Sequence, residues 1–165
     1  MMPVPWQHVN SWNCIGCGLC CKEYTVVLTF QEWLNIVKNY GVSVTVPGLN
    51  KFFLKRKSDG SCIFLQHFSN TYFCGLQPTK PRACKLWPFK VLAQPKFGRA
   101  KEAAYEYDGR RFFLYLDPFC LGISWGTPTQ KFIHKTLREI VEIALGFKVK
   151  QYYTTSQLLA QPLLI

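Results

Sequence analysis

Four cysteines fall within eight residues, in the run Cys14-Ile-Gly-Cys17-Gly-Leu-Cys20-Cys21. A thiolate at every third position lets one tight loop bring several sulfurs to one side, the spacing of zinc knuckles and iron–sulfur loops. Gly16 and Gly18 give such a loop the backbone freedom it needs where φ is positive. Cys62, Cys74, Cys84 and Cys120 follow singly. Eight sulfurs are enough for two four-thiolate sites.

Disulfides are the competing use of an even cysteine count. Three features weigh against them. Met1 to Trp12 has neither the basic start nor the apolar stretch of a secretory signal. A chain of 165 residues can bury a sizeable core without covalent staples. Adjacent cysteines such as Cys20 and Cys21 are badly placed to bridge each other, because a disulfide needs a wider Cα separation than one peptide step. The expected compartment is the cytoplasm, and no stretch approaches the length of a membrane-spanning helix.

The formal net charge is +11, which invites a nucleic-acid reading. That count takes every cysteine as neutral. A four-thiolate zinc site or an oxidised cubane carries a net charge of about −2, so two of them would leave the chain at roughly +7. Lys22, Arg82, Lys85 and Lys90 lie near cysteines in sequence and are candidates to offset thiolate charge. Nucleic-acid binding is therefore a further reading of the basicity, not one it requires.

Along the chain, residues 13–22 read as a first metal-binding loop and Glu23 to Leu28 as a strand. Thr29-x-x-Glu32 is a capping box that opens a helix running to about Tyr40, with Gly41 as its stop. Val42 to Asn50 reads as an irregular or extended connector containing Pro47-Gly48. Lys51 to Lys57 and Ser61 to Gln66 read as a hairpin about Asp59-Gly60. Phe68 to Cys74 is a turn with a short aromatic strand. Prolines at 78, 81 and 88 restrict any helix to a turn or two at Arg82 to Leu86.

Phe89 to Gln94 is expected as a strand, and Glu102 to Tyr107 and Arg110 to Leu116 as a hairpin about Asp108-Gly109. Asp117 to Gly126 reads as a loop. Thr127-Pro128-Thr129-Gln130 is a helix start, with Thr127 as N-cap, and the helix should end at about Leu145 before Gly146. A weaker helix is expected over Thr155 to Gln161. The sum is one α+β domain: a small antiparallel sheet, two main helices and cysteine-bearing metal-binding loops.

These segments resemble the YkgJ-type family, also called the CxxCxxCC or putative zinc- or iron-chelating domain. The first run matches the naming motif. Gly60-Ser-Cys62-Ile-Phe-Leu65 resembles its Gly-x-Cys-x-Phe-Leu segment, and Thr29 to Trp33 its strand-to-helix step. Cys74 to Phe89, with Pro81-Arg82-Ala-Cys84-Lys-Leu-Trp-Pro88, resembles its Arg-Pro-x-x-Cys segment, with Lys80 where arginine is usual. Cys120-Leu-Gly122-Ile-Ser-Trp-Gly126 is similar to its last motif. The resemblance covers about residues 14–126, leaving 127–165 as a helical segment. It implies a metal centre held by Cys14, Cys17, Cys20, Cys21, Cys62, Cys74, Cys84 and Cys120.

Soft thiolates select zinc or an iron–sulfur cluster over magnesium or calcium. A Cys-x-x-Cys-x-x-Cys run with a distant cysteine is the ferredoxin manner of holding a cubane, whereas zinc sites more often pair two Cys-x-x-Cys knuckles. The pattern thus leans toward one or two iron–sulfur clusters, with zinc as the alternative. If Cys20 and Cys21 are extended, their side chains point to opposite sides, and either they serve different metal atoms or one is free as a redox or labile ligand. His67 is a candidate substitute ligand, and Arg82 a donor to sulfur or to an anionic partner. Trp87 and Phe89 are expected to shield the site from water.

No Gly-x-Ser-x-Gly, His-Glu-x-x-His or P-loop is present, so intrinsic catalysis is not expected. The expected role is electron transfer or metal handling with a protein redox or metal-delivery partner. A zinc-stapled interaction domain and a nucleic-acid-binding module are the alternatives.

Overall fold

The computed structural model describes residues 2–154. In chain order its strands are β1 (Val4–Pro5), β2 (Val9–Trp12), β3 (Val27–Leu28), β4 (Thr45–Gly48), β5 (Lys51–Leu54), β6 (Leu65–Phe68), β7 (Thr71–Cys74), β8 (Phe89–Leu92), β9 (Ala104–Tyr107), β10 (Arg110–Leu116) and β11 (Ile123–Trp125). Its α-helices are α1 (Leu19–Glu23), α2 (Phe30–Tyr40), α3 (Arg82–Leu86), α4 (Ala100–Ala103) and α5 (Arg138–Ala144). Short helices and small antiparallel sheets make this an α+β protein, as expected. The chain divides into two compact units: Gly16–Cys84, and the residues up to Ile15 together with those from Lys85 onward.

The second of these, the apolar unit, is organised about β10. Its first half pairs with β9 across the Asp108-Gly109 turn, and its second half lies between β1 and β8. Asp108 and Gly109 both take positive φ, 47° and 73°, as a tight hairpin turn requires. Leu114, Leu116, Trp6, Trp12, Phe89, Ile140 and Val141 form one buried core. Each such side chain contributes roughly 1.5–3 kcal/mol when removed from water. The N-terminal residues and the segment read as a loop after Asp117 contain more structure than sequence patterning suggests. β2 and β11 pair there, with a register shift at Ser124/Trp125. Strands this short are set by pairing, not by their own alternation.

The long C-terminal helix is present, but its start differs from expectation. Thr129, not Thr127, caps it, accepting from the Phe132 N–H at 3.2 Å. The Thr127 backbone carbonyl accepts from the Asn10 side-chain amide at 2.7 Å, and the Thr129 N–H bonds the Asn10 carbonyl. A π-helical stretch, Phe132–Leu137, leads into α5. Gly146 ends the helix with φ 79°. The helix expected over Thr155 to Gln161 lies outside the described residues.

Gly16–Cys84, the thiol-rich unit, holds a three-stranded sheet in the order β3-β5-β4 and a separate β6–β7 hairpin. Helix α2 covers one face of the sheet: Trp33 stacks on Phe52 at 4.4 Å and its indole N–H reaches Thr45 Oγ1 at 3.2 Å. The capping box is formed as read, with Thr29 accepting from the Glu32 N–H and Glu32 accepting from the Thr29 N–H. The core is small: Leu28, Ile36, Leu54, Cys62, Leu65 and Leu76.

Two expectations change here and one is made specific. The strand read from Glu23 is confined to Val27–Leu28, because α1 takes the residues before Tyr24. The connector over Val42 to Asn50 takes the extended alternative at Thr45–Gly48, which forms β4 and pairs with β5. The hairpin about Asp59-Gly60 keeps its turn, closed by Lys57 N–H to Ser61 carbonyl at 2.7 Å, but its arms join only by the Arg56–Cys62 bridge. The residues after Cys62 pair with β7 instead, since β5 already has a partner on each edge.

Candidate metal centre

The first cysteine loop turns on two left-handed glycines, Gly16 at φ 64° and Gly18 at φ 71°. Gly18 is further constrained by space: a Cβ there would stand 2.8 Å from Cγ of Tyr72. Tyr72 also donates its backbone N–H to the Gly16 carbonyl at 2.8 Å, and Lys22 Nζ sits 4.0 Å from the centre of its ring. Tyr72 thereby clamps the loop to β7, the strand that ends in Cys74. Sequence patterning marks Tyr72 only as one aromatic among many.

After Gly18 the chain turns into α1, with the Cys21 and Lys22 N–H groups on the Gly18 carbonyl at 3.0 and 3.1 Å. Cys20 and Cys21 are therefore helical, not extended, and the opposite-sides expectation is corrected. Their sulfurs lie 3.9 Å apart. The Cys62 N–H bonds the Cys21 carbonyl at 2.8 Å, placing a third cysteine beside them. Arg56 fixes this junction through the Lys22 carbonyl and Thr25 Oγ1, and Lys57 Nζ bonds the Leu65 carbonyl at 2.6 Å. Cys74 stands opposite Leu65 in the β6–β7 register. Cys84 arrives on α3, whose first N–H, that of Arg82, bonds Glu32 Oε1 at 2.6 Å.

The electrostatics link these sulfurs. A hydrogen bond from the Cys21 thiol, aided by the Lys80 charge and opposed by burial, lowers Cys20 to about 7. The same bond, then burial, then the charges of Cys20, Cys62 and Cys74, hold the Cys21 thiol far above its ordinary value. The pair releases one proton readily and the second with difficulty. Burial raises Cys62, Cys74 and Cys84, and Cys74 and Cys62 push Cys84 further up. Lys80 opposes these shifts at Cys74 and Cys84, and Lys57 and Arg56 at Cys62. Five thiols thus feel one another: Cys20, Cys21, Cys62, Cys74 and Cys84. Such a set favours a cation, which neutralises the mutual repulsion and displaces the protons.

Among the described residues, no three His, Cys, Asp or Glu side chains are closed up as an ion cage. The donor set itself fits a soft metal, being all sulfur. No disulfide joins any of the eight cysteines. Cys17 is half-buried in the first loop. Cys14 and Cys120 belong to the apolar unit, packed against its core. There the Trp12 indole N–H points at Cys120 Sγ at 3.2 Å. Gly122 is obligatory in that loop, since a Cβ would lie 2.1 Å from the Asn13 carbonyl oxygen.

The other candidates are placed elsewhere. His67 is exposed on β6, stacked on Tyr72 at 4.5 Å. His8 pairs with Glu102, and His134 bonds Gln130 at 2.9 Å. The Arg82 side chain is exposed while its backbone bonds Glu32. Lys85 is buried and donates to the Val149 carbonyl at 2.9 Å, so it serves packing. The cations that act on Cys20, Cys62, Cys74 and Cys84 include Lys80, Lys57 and Arg56, none of them among those that sequence proximity suggested. Phe89 lies in the core of the apolar unit, edge-on to Trp12 at 5.2 Å.

No curated protein and no solved structure shows significant similarity to the chain. The family model described as CxxCxxCC, putative zinc- or iron-chelating domain, matches residues 13–120. That span takes in every cysteine and covers more than half of the sequence. The chain therefore belongs to the CxxCxxCC family.

Proposed function

We propose that the thiol-rich unit holds an iron–sulfur centre through Cys20, Cys21, Cys62, Cys74 and Cys84, and that the protein acts in electron transfer or metal handling. The observation that carries this reading is the geometry of the cysteine segments: the Cys20 and Cys21 sulfurs lie 3.9 Å apart, the Cys62 N–H bonds the Cys21 carbonyl, and Tyr72 ties the first loop to the strand that ends in Cys74. Four of the five are enough to hold a cluster, and the donor set is all sulfur. Bound there, a cluster would supply a reversible one-electron couple. The residues around it have separate tasks. Lys80, Lys57 and Arg56 supply positive charge against the thiolates. Tyr72 and Gly18 fix the loop that carries Cys20 and Cys21.

One observation favours a second reading, zinc as a structural staple. The core of this unit is only six residues, and cores of that size commonly need a metal or disulfide to hold the fold. Elemental analysis of anaerobically purified protein separates the two. Iron with acid-labile sulfide and broad visible absorption supports the cluster. Zinc in a colourless sample supports the staple. A chain with neither metal contradicts both.

A further inference from the structure

Glu32 stands out among the carboxylates of the thiol-rich unit because both of its oxygens are engaged, and on different elements. Oε2 accepts from the Thr29 N–H at 2.8 Å and from Thr29 Oγ1 at 3.0 Å, completing the capping box of α2. Oε1 accepts from the Arg82 N–H at 2.6 Å, fifty positions along the chain. Arg82 opens α3, and Cys84 is two residues further on. A capping box needs only one carboxylate oxygen. The second bond is therefore surplus to α2 and serves α3.

The helix it serves has few means of its own. α3 is five residues long, too short to hold itself by its own hydrogen bonds. Its sequence is bounded by Pro81 and Pro88, which contribute no N–H. A carboxylate bond to a backbone N–H is charge-assisted and about twice as strong as a neutral one.

We infer that Glu32 is a positioning residue of the metal centre: by capping α2 with one oxygen and anchoring α3 with the other, it sets where Cys84 stands. The inference rests on the proposed metal-binding role of Cys84. Its geometric part, the anchoring of α3, stands apart from that role.

Glu32→Ala removes both anchors, whereas Thr29→Ala weakens only the α2 cap and leaves the Arg82 bond. Two readouts on the full-length chain compare them: Zn(II) affinity by competition with a chelator, and hydrogen exchange of the Arg82–Leu86 amides in metal-free protein. The expected result is a loss of Zn(II) affinity of about tenfold or more for Glu32→Ala, the range typical of a ligand's outer hydrogen-bond partner, with wild-type affinity for Thr29→Ala. Exchange at Arg82–Leu86 should speed up in Glu32→Ala alone. If Glu32→Ala does not fold, Glu32→Gln, which keeps a single acceptor oxygen, should show both effects in smaller measure. Equal affinity loss in the Thr29 and Glu32 variants, or unchanged exchange at α3, overturns the inference. Faster α3 exchange in a chain whose wild type binds no Zn(II) keeps the anchoring and removes the metal role.

Discussion

The two units of this chain reach order by different means. The apolar unit buries an interlocked set of large side chains, with Leu114, Leu116, Leu137, Ile140 and Val141 wholly enclosed. The thiol-rich unit has six core residues, one of them Cys62, and carries six of the eight cysteines. In the first, thiols lie at the edge of a core that does not depend on them. In the second, the segments that bear thiols also make up most of the fold. On the proposed function, a metal is a structural component of Gly16–Cys84, and the apolar unit folds without needing one.

The largest effect should follow metal removal. A structural thiolate site contributes on the order of 10 kcal/mol to folding, so chelation should collapse amide protection across residues 16–84 while β10 and α5 keep theirs. Hydrogen exchange with and without chelator reads this directly, and uniform loss across both units would break the comparison. Next comes Cys62→Ser. It removes a buried thiol in contact with the Cys21 segment and should reduce bound metal to a small fraction of the wild type, measured by elemental analysis. Wild-type metal content would remove Cys62 from the set.

Leu114→Ala should act in the opposite sense. It leaves a cavity in a fully buried site and costs about 2–5 kcal/mol of stability by denaturant unfolding, with metal per chain unchanged. A parallel loss of metal would show that the two units are not energetically separate. The smallest effect is expected for Gly18→Ala, where a left-handed φ and the Tyr72 ring both oppose a side chain. The conformational part alone is about 1–2 kcal/mol. The expected readout is weaker metal binding with the apolar unit's protection intact, and an unchanged affinity would relieve Tyr72 of its clamping role.

The sequence made α2 legible because its signals are local: Thr29, Glu32 and Gly41 each mark an end by their own chemistry. The hairpin at Asp108-Gly109 and the short helix between Pro81 and Pro88 were legible for the same reason. β2 and β11 were not, since each is held by a partner distant in sequence and carries no clear alternation; β4 pairs with the strand that follows it, but Pro47-Gly48 interrupts any strand pattern there. In the site, residue type identified the sulfurs, and spacing identified the first loop. Spacing could not show that Cys20 and Cys21 lie on a helical turn, because that depends on Gly18 pressed against Tyr72 from another strand. Nor could it show which cations act on the thiols. Lys80 and Lys57 owe their effect to folding, whereas Lys85, adjacent to Cys84, turns to Val149.

Peptide-mapped alkylation of all eight cysteines, before and after chelation of protein purified without oxygen, tests the central claim most directly. The account predicts that Cys20, Cys21, Cys62, Cys74 and Cys84 are protected until the metal is removed, while Cys14 and Cys120 react equally in both states. If chelation leaves the reactivity of those five unchanged, they do not hold the metal and the account is wrong.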